Sequence, residues 1–422
     1  MNHFAFEINP DLNAHLVKTT DDTTRFCDLM LHDAKLMTNL KQLNFDLALV
    51  DLLLLGQCVA LVPYTLGIPF VGQSTAIMRW SVGVPYLCSF MPFILQETDY
   101  HMTFGQKLEC LIMMGVFNSP LSLTELNREL LQEFAPQIGS WRQLTQQAEL
   151  YIKLRDHIID YPAPSMPNIV TTAAITYRPA KPLPKALADR IKSAKPIILM
   201  SFGSTTDAMP KSIIDVFANA FTQLPEYTIV WRLASTENLV LSDNVVATPW
   251  LPQNDLLGLN ETKLFITHCG SNGMHEALYH NVPMVGFPLL NEQAHNAFNL
   301  EAKNYGVRLN IKTVTTDELV RAIRRVLRSN EIKDKVAKIS QILKERPLPA
   351  KIIVDKLEHV MKYGSKHLRP ASVDMPLYEL YMLDVFAVLL GVVILLGWII
   401  YVLLKCCCRA LCRNASTKSK AD

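Results

Sequence analysis

The chain has 422 residues, enough for two domains with their own cores and a further segment. Half of it is hydrophobic and 19% is charged, with 41 Lys and Arg against 39 Asp and Glu. That near balance, with no basic stripe interleaved with aromatics, argues against a nucleic-acid partner and for a small substrate.

The opening stretch MNHFAFEINPDLNAHLVKTT has no continuous apolar run of the kind a signal peptide needs. FDLALVDLLLL at 45–55 predicts a buried strand, QCVALVPYTLG a short helix ended by Gly67, and IPFVGQ the next strand, the rhythm of a βαβ unit. A polar, helical region is expected from Leu123 to Ile158. The proline-rich stretches YPAPSMPN and YRPAKPLPKAL follow, with a linker placed at 181–195.

After the linker the alternation is clearer. PIILMS, YTIVWRL, NVVATPW, KLFIT and VPMVGF each predict a strand, and MPKSIIDVFANAFTQL is an amphipathic helix with Pro210 near its first turn. TTDELVRAIRRVLRSN, EIKDKVAKISQILKE and AKIIVDKLEHVMKYG predict three more helices, the first with a start suited to capping. Strands alternating with helices predict parallel, doubly wound sheets. The chain therefore divides into a domain at 1–180 and a second at 196–370, with a ligand cleft expected between them.

VFAVLLGVVILLGWIIYVLL at 385–404 carries no charge and matches the roughly 20 residues that span a bilayer core. Lys405, Arg409, Arg413, Lys418 and Lys420 follow it, so the 405–422 tail is expected in the cytosol and the bulk across the membrane. Such an orientation needs an upstream signal peptide. A fragment or truncated isoform is expected over a true start at Met1.

Cys27, Cys58, Cys88, Cys110 and Cys269 are scattered, mostly in apolar runs, and predict buried thiols rather than a disulfide framework. Cys406, Cys407, Cys408 and Cys412 sit just inside the membrane and are either palmitoylated or unmodified. No Cys/His spacing predicts a metal site.

The most informative stretch is FITHCGSNGMHEALYHNVPMVGFPLLNEQ, 265–293. A strand delivers His268 at its C-terminal end, Gly270 and Gly273 bracket a turn, and a helix begins near Met274 and ends before Pro283. A helix N-terminus preceded by glycines offers free N–H groups and a positive dipole end, a seat for phosphate. His268 can donate to a phosphate oxygen, Glu276 can accept from both ribose hydroxyls, and Glu292 with Gln293 can grip several hydroxyls. Phosphate, ribose and polyol together describe a nucleotide-sugar. Neither a Walker loop nor GxGxxG is present, which disfavours a triphosphate or dinucleotide.

This stretch resembles the donor-binding signature of the UDP-glycosyltransferase family, and TPWLPQNDLLG, RPAKPLPKAL, LMSFGS and LYELYMLDVFAVLL are similar to further family segments. The resemblance implies a GT-B fold, two Rossmann-like domains facing a cleft, with one C-terminal transmembrane helix. Carried over, it implies that Trp250 stacks on uracil and Gln253 contacts uracil or ribose. Ser204, His268, Gly270, Asn272 and Gly273 would hold the diphosphate, Glu276 the ribose, and Glu292 and Gln293 the sugar. Trp250 as an ordinary core aromatic stays open, and Arg232 is either a donor-site residue or a structural ion pair. The implied reaction is inverting displacement at the anomeric carbon by an acceptor hydroxyl, deprotonated by a histidine that an aspartate orients. The chain has no Asp-x-Asp, so no metal or other cofactor is expected and leaving UDP would be stabilised by the phosphate seat.

Two departures follow. Asp51 ends its strand where the family's orienting aspartate resembles it, with a buried or capping role as the alternative, but His3, His15 and His32 are the only early histidines and none follows an apolar strand. No general base is assigned. Where glucuronosyl members commonly show Phe-Pro-Arg-Pro, this chain has YPAP, so Ala163 replaces an arginine able to pair with a sugar carboxylate, favouring UDP-glucose over UDP-glucuronate. The expected acceptor is a small lipophilic alcohol or phenol. The alternative is a catalytically silent, membrane-anchored UDP-sugar-binding protein that regulates full-length relatives by pairing with them. The KSKAD terminus resembles a dilysine retrieval signal, so the endoplasmic reticulum membrane is expected, with a glycan on Asn260 and none on Asn414.

Overall fold

The computed structural model describes residues 12–52, 57–75, 82–93, 96–118, 128–191, 195–203, 209–237, 239–290 and 292–418. Among the described residues ten short runs form strands, and these sort into two sheets. In the first, β1 (Ala48–Asp51), β2 (Phe70–Ser74), β3 (Leu150–Lys153) and β4 (Ile169–Thr171) lie side by side in chain order, all parallel. The second holds β5 (Ile197–Ser201), β6 (Thr228–Arg232), β7 (Val245–Thr248), β8 (Thr262–Thr267), β9 (Met284–Gly286) and β10 (Gly306–Arg308). Their order is β10-β9-β8-β5-β6-β7, again parallel.

Parallel neighbours need a crossover, and the amphipathic segments between these runs supply it as helices packed on the sheet faces. IILMS of β5 is buried at every position, as a strand covered on both faces must be. The helix Lys211–Thr222 lays Phe217 and Phe221 against Trp231 of β6, with ring centroids 6.1 and 5.3 Å apart. Thr315 caps the helix Thr316–Arg328 by accepting from the Glu318 N–H at 3.3 Å. Gly67 ends its short helix in the left-handed conformation, φ 70°.

The structure departs from the sequence reading in five places. β3 and β4 lie inside the regions read as helical and proline-rich, because LYIK and IVT are too short to show a period among polar neighbours. The strand expected over 45–55 is β1 alone; it forms the sheet's edge and leaves Leu49 48% exposed, while 53–56 lie outside the described residues. Within the linker at 181–195, Lys185–Ile191 is helical, since ALADRI continues past the prolines with good helix formers.

The cysteines differ most. Cys27 is bonded to Cys58 and Cys88 to Cys110, with Cα atoms 6.0 and 5.7 Å apart, inside the range a disulfide spans. Separations of 31 and 22 residues carry no periodic signature, so the pairing is tertiary information. Cys269 is a free, buried thiol as expected.

Finally, the helix Pro349–Tyr363, read as part of the second domain, packs on the first sheet. Its Ile353 and Val360 share a core with Val71, Leu150, Ile152 and Val170, and the opposite face of the same strands buries Phe70 and Tyr151 in a separate cluster. The segment beyond stays with the first half: Gln146 donates to the Val373 carbonyl at 2.9 Å, and the Tyr86 N–H donates to Tyr381 at 2.9 Å. The helix Leu383–Lys418 then runs clear of the protein, and its apolar span Leu383–Cys407, none of it buried, is long enough to cross a membrane.

Candidate functional site

β8 ends at Thr267 and places His268 at the carboxyl edge of the second sheet, beside the end of β5. Cys269 then takes φ 64°, a left-handed turn that a side chain enters only when its surroundings enforce it. Here its sulfur packs against Gly286 and its carbonyl accepts from Asn296 at 2.9 Å. The turn leads into the helix Ser271–Tyr279, whose Gly270 cap contributes no side-chain hydrogen bond. The helix's first N–H groups are thus left for a ligand.

His268 is wedged between two backbone turns. A Cβ at Gly270 would stand 2.5 Å from its Nε2, and one at Gly203, φ +77°, 3.0 Å from its Cε1 and Nε2. Its Nδ1 is enclosed with no hydrogen bond inside the protein. Burial pushes its pKa down to about 4, which the nearby Ser201 backbone only partly offsets, so at neutral pH the ring is an uncharged donor. Phosphate contact there is therefore a hydrogen bond rather than an ion pair.

Around this turn a cleft of about 560 Å³ is lined by Trp250, Gln253, His268, Gly270, Asn272, Gly273, Glu276, Glu292 and Gln293, every donor-site residue of the sequence reading except one. The exception is Ser204, which lies outside the described residues. Trp250 is 69% exposed, its indole face open rather than packed in the core. Glu276 is buried, which raises its pKa, and Gln253 Nε2 donates to its Oε2 at 2.7 Å. Asn272 is exposed at the helix start, and Gly273 is required because a Cβ there would press on Gln253 and the Phe265 ring at 3.2 and 3.3 Å. Gln293 starts the helix Gln293–Ala302 and turns its Oε1 to the Leu289 and Leu290 N–H groups at 2.9 and 3.0 Å, which leaves its amide N–H groups for the cleft.

Arg232 also lines the cleft, donating to the Gly203 carbonyl at 2.7 Å and so bracing the turn against which His268 rests. Sequence reasoning missed Thr75, Thr176 and Arg178, which complete the wall from the first half. Thr75 directly follows β2, a strand-end position that could have been flagged. Arg178 makes a bidentate pair with Asp255 at 2.6 and 3.1 Å and ties the linker to the Gln253–Leu257 helix, a contact no spacing announces.

Asp51 is not brought to this group. It stands exposed at the end of β1 and is outside the lining of the cleft. His32 hydrogen-bonds the Asp28 carbonyl and Glu133 at 3.1 Å each, both of which raise its pKa, and it too is outside the cleft. Ala163 lines a different cavity, with Lys153, His157 and Tyr161.

The model of the family described as UDP-glucoronosyl and UDP-glucosyl transferase matches residues 5–421. The chain is 31% identical over 401 residues to UDP-glucuronosyltransferase 2B18 of Macaca fascicularis, covering 92% of this chain and 75% of that protein. It is 32% identical over 398 residues to human UDP-glucuronosyltransferase 1A3, covering 91% and 72%. Among solved structures, the glycotransferase of kitacinnamycin superposes with TM-score 0.58 at 18% identity, over 84% of each chain. Os79 from O. sativa in complex with UDP does so with TM-score 0.53 at 16% identity, over 85% of this chain and 86% of that one. The architecture is GT-B.

Proposed function

The chain belongs to the UDP-glucuronosyl and UDP-glucosyl transferase family, and from that premise we propose that it moves a hexosyl group from a UDP-sugar to a small lipophilic hydroxyl acceptor. The observation that carries the reading is one cleft in which an exposed indole, a buried carboxylate and an uncapped helix N-terminus follow each other as base, ribose and diphosphate do. Uracil stacks on Trp250. Glu276, already held by Gln253, accepts from the ribose hydroxyls. The diphosphate rests on the N–H groups at Ser271–Gly273 and on His268, and Glu292 and Gln293 take the sugar.

In this reading no metal is needed. The dipole of the Ser271–Tyr279 helix and the His268 N–H meet the charge that develops on leaving UDP, from positions fixed before reaction. The acceptor attacks the anomeric carbon from the opposite face, with inversion.

UDP-glucose is the proposed donor in preference to UDP-glucuronate. Its support is charge: Glu292 lines the sugar end, Arg178 is committed to Asp255, and Arg232 to the Gly203 carbonyl, which leaves a sugar carboxylate poorly matched. The relatives above bear the glucuronosyl name. Calorimetry on the full chain in detergent, with EDTA, would compare the two donors; UDP-glucose should bind more tightly, and the reverse order would overturn the preference. Loss of affinity in Glu276→Ala and His268→Ala is expected, and unchanged affinity in both would overturn the site.

A second reading, a silent UDP-sugar-binding protein that pairs with relatives, is favoured by one observation. Among the described residues, the cleft's lining contains no histidine from the first half, and Asp51 stands apart from it. Turnover of UDP-glucose onto a phenolic acceptor separates the two. For address we propose the reticulum membrane with the tail cytosolic, supported by two disulfides, which persist in oxidising compartments, and by basic residues behind the apolar helix. Asn260 is exposed at the start of β8, at the sheet end opposite the cleft, where a glycan fits.

A further inference from the structure

The described cysteines fall into two chemical groups. Cys27 with Cys58 and Cys88 with Cys110 form disulfides in the first half, and Cys269 is buried in the second. Cys406 and Cys407 are free and exposed, at the far end of the apolar span. Disulfides persist in an oxidising compartment and free thiols in a reducing one, so the division matches the two sides of a membrane.

The helix Leu383–Lys418 sets the depth at which these thiols stand. Asp384 and Lys405 bracket its uncharged stretch, and at 1.5 Å per residue they lie about 30 Å apart along the axis, the thickness of a bilayer core. Lys405 Nζ lies 5.6 Å from the centroid of the Tyr401 ring, one turn back. An aromatic ring with an ammonium over it suits the headgroup layer, so this turn marks the surface of the bilayer. Cys406 and Cys407 follow Lys405 directly, within about 3 Å along the axis. Neighbouring residues on a helix do not face each other, so these two thiols form neither a disulfide together nor a shared metal site. The helix runs unbroken to Lys418, and no turn among the described residues folds the tail back over them.

We propose that Cys406 and Cys407 are S-acylated from a long-chain acyl thioester. The cysteine sulfur attacks the thioester carbonyl carbon, the bond from that carbon to the carrier's sulfur breaks, and the cysteine's proton passes to the carrier thiol. One thioester replaces another, with no change of oxidation state. The acyl chains enter the bilayer beside Leu403 and Leu404, which are exposed on the helix surface, and hold the last apolar turn at its depth while limiting tilt. The proposal rests on the reading of the tail as cytosolic, the side on which cysteines next to a membrane span are acylated.

The test uses the full chain, expressed in cultured cells behind a cleavable signal peptide. Free thiols are first blocked with N-ethylmaleimide. Neutral hydroxylamine then cleaves thioesters but not disulfides, and a maleimide mass tag counts each thiol released. A tag shift that requires hydroxylamine is expected, and Cys406→Ser combined with Cys407→Ser should remove two tags. UDP affinity in detergent should stay unchanged in that variant, which shows that it is folded. No hydroxylamine-dependent tag on the natural sequence, or a loss of fewer than two tags in the variant, would overturn the proposal. Asn414 reports the orientation separately. If it is bare, a negative result counts against acylation alone; if it carries a glycan, the cytosolic tail and the acylation fall together.

Discussion

The second sheet is held together by apolar burial and the first by what borders it. Every residue of β5 is buried, and one continuous core runs from Ile158 to Leu343, taking in Ile159, Ala173 and Tyr177 from the loops of the first half. The first sheet has smaller cores on its two faces, an exposed edge at β1, and a loop after β3 whose charges reach across to the other half. Asp156 alone meets His275 and Arg346 there. The difference teaches that the second half carries most of its own core, while the first is held by smaller cores, by disulfides, and by a seam that joins apolar contacts at Ile158, Ile159 and Tyr177 to the ionic ones at Asp156.

The strongest way to break that contrast is to remove the seam's anion. Asp156→Ala leaves the Arg346 guanidinium without its carboxylate and the buried His275 Nε2 without its hydrogen-bond partner, and should destabilise the first half by about 3–5 kcal/mol in urea unfolding. A loss below about 1 kcal/mol would mean that packing, not charge, holds the seam. Reduction comes next. Both disulfides lie in the first half, so dithiothreitol should lower its unfolding transition by about 2–4 kcal/mol per bond and leave the second half's in place. A uniform shift of both transitions would show that the halves unfold as one unit.

Smaller effects sharpen the site. Glu276→Ala should weaken UDP binding by about 1.5–3 kcal/mol, roughly 10- to 100-fold, the range for a hydrogen bond to a charged group. Trp250→Ala should lose about 1–3 kcal/mol of stacking, and fluorescence quenching by UDP should vanish from the exposed indole.

The smallest effect is a pH dependence that separates the halves. His268 and His280 have pKa values of about 4 in the fold, so the unfolded chain takes up their protons first as pH falls. Their stabilisation is complete above about 6.5 and declines between there and 4. Asp156, held at about 2 against burial by His275, contributes fully above its ordinary value near 3.8 and loses that contribution as pH falls toward 2. His268→Gln should flatten the upper window and leave the lower one unchanged. A flattened lower window would assign the acid sensitivity elsewhere.

Legibility in the sequence followed the same contrast. FITHCGSNGMHEALYHNVPMVGFPLLNEQ carries its site in one continuous run, so order along the chain matches order in the cleft, and only the left-handed turn at Cys269 needed coordinates. The five strands predicted after residue 195 are all present because each is a separate apolar run, and β10 was missed for having three residues. In the first half the decisive contacts are long-range. Cys27 finds Cys58, Asp156 finds Arg346, and Arg178 finds Asp255, and no periodicity encodes such meetings. Asp51 ends β1 as its strand-end pattern predicts, outside the lining of the cleft.

The return of the Pro349–Tyr363 helix to the first sheet has a mechanical consequence. Two covalent tethers now join the halves, one on the way out after β4 and one on the way back before Pro349. A body pinned at two points keeps one soft rotation, about the line through the pins. The span Leu383–Cys407 also leaves from the first sheet's side of that line, through Val373 and Tyr381. If that span is embedded in a bilayer, the first half is the fixed jaw and the second half, with the cleft wall built on β8, is the one that swings, like a gate on a post.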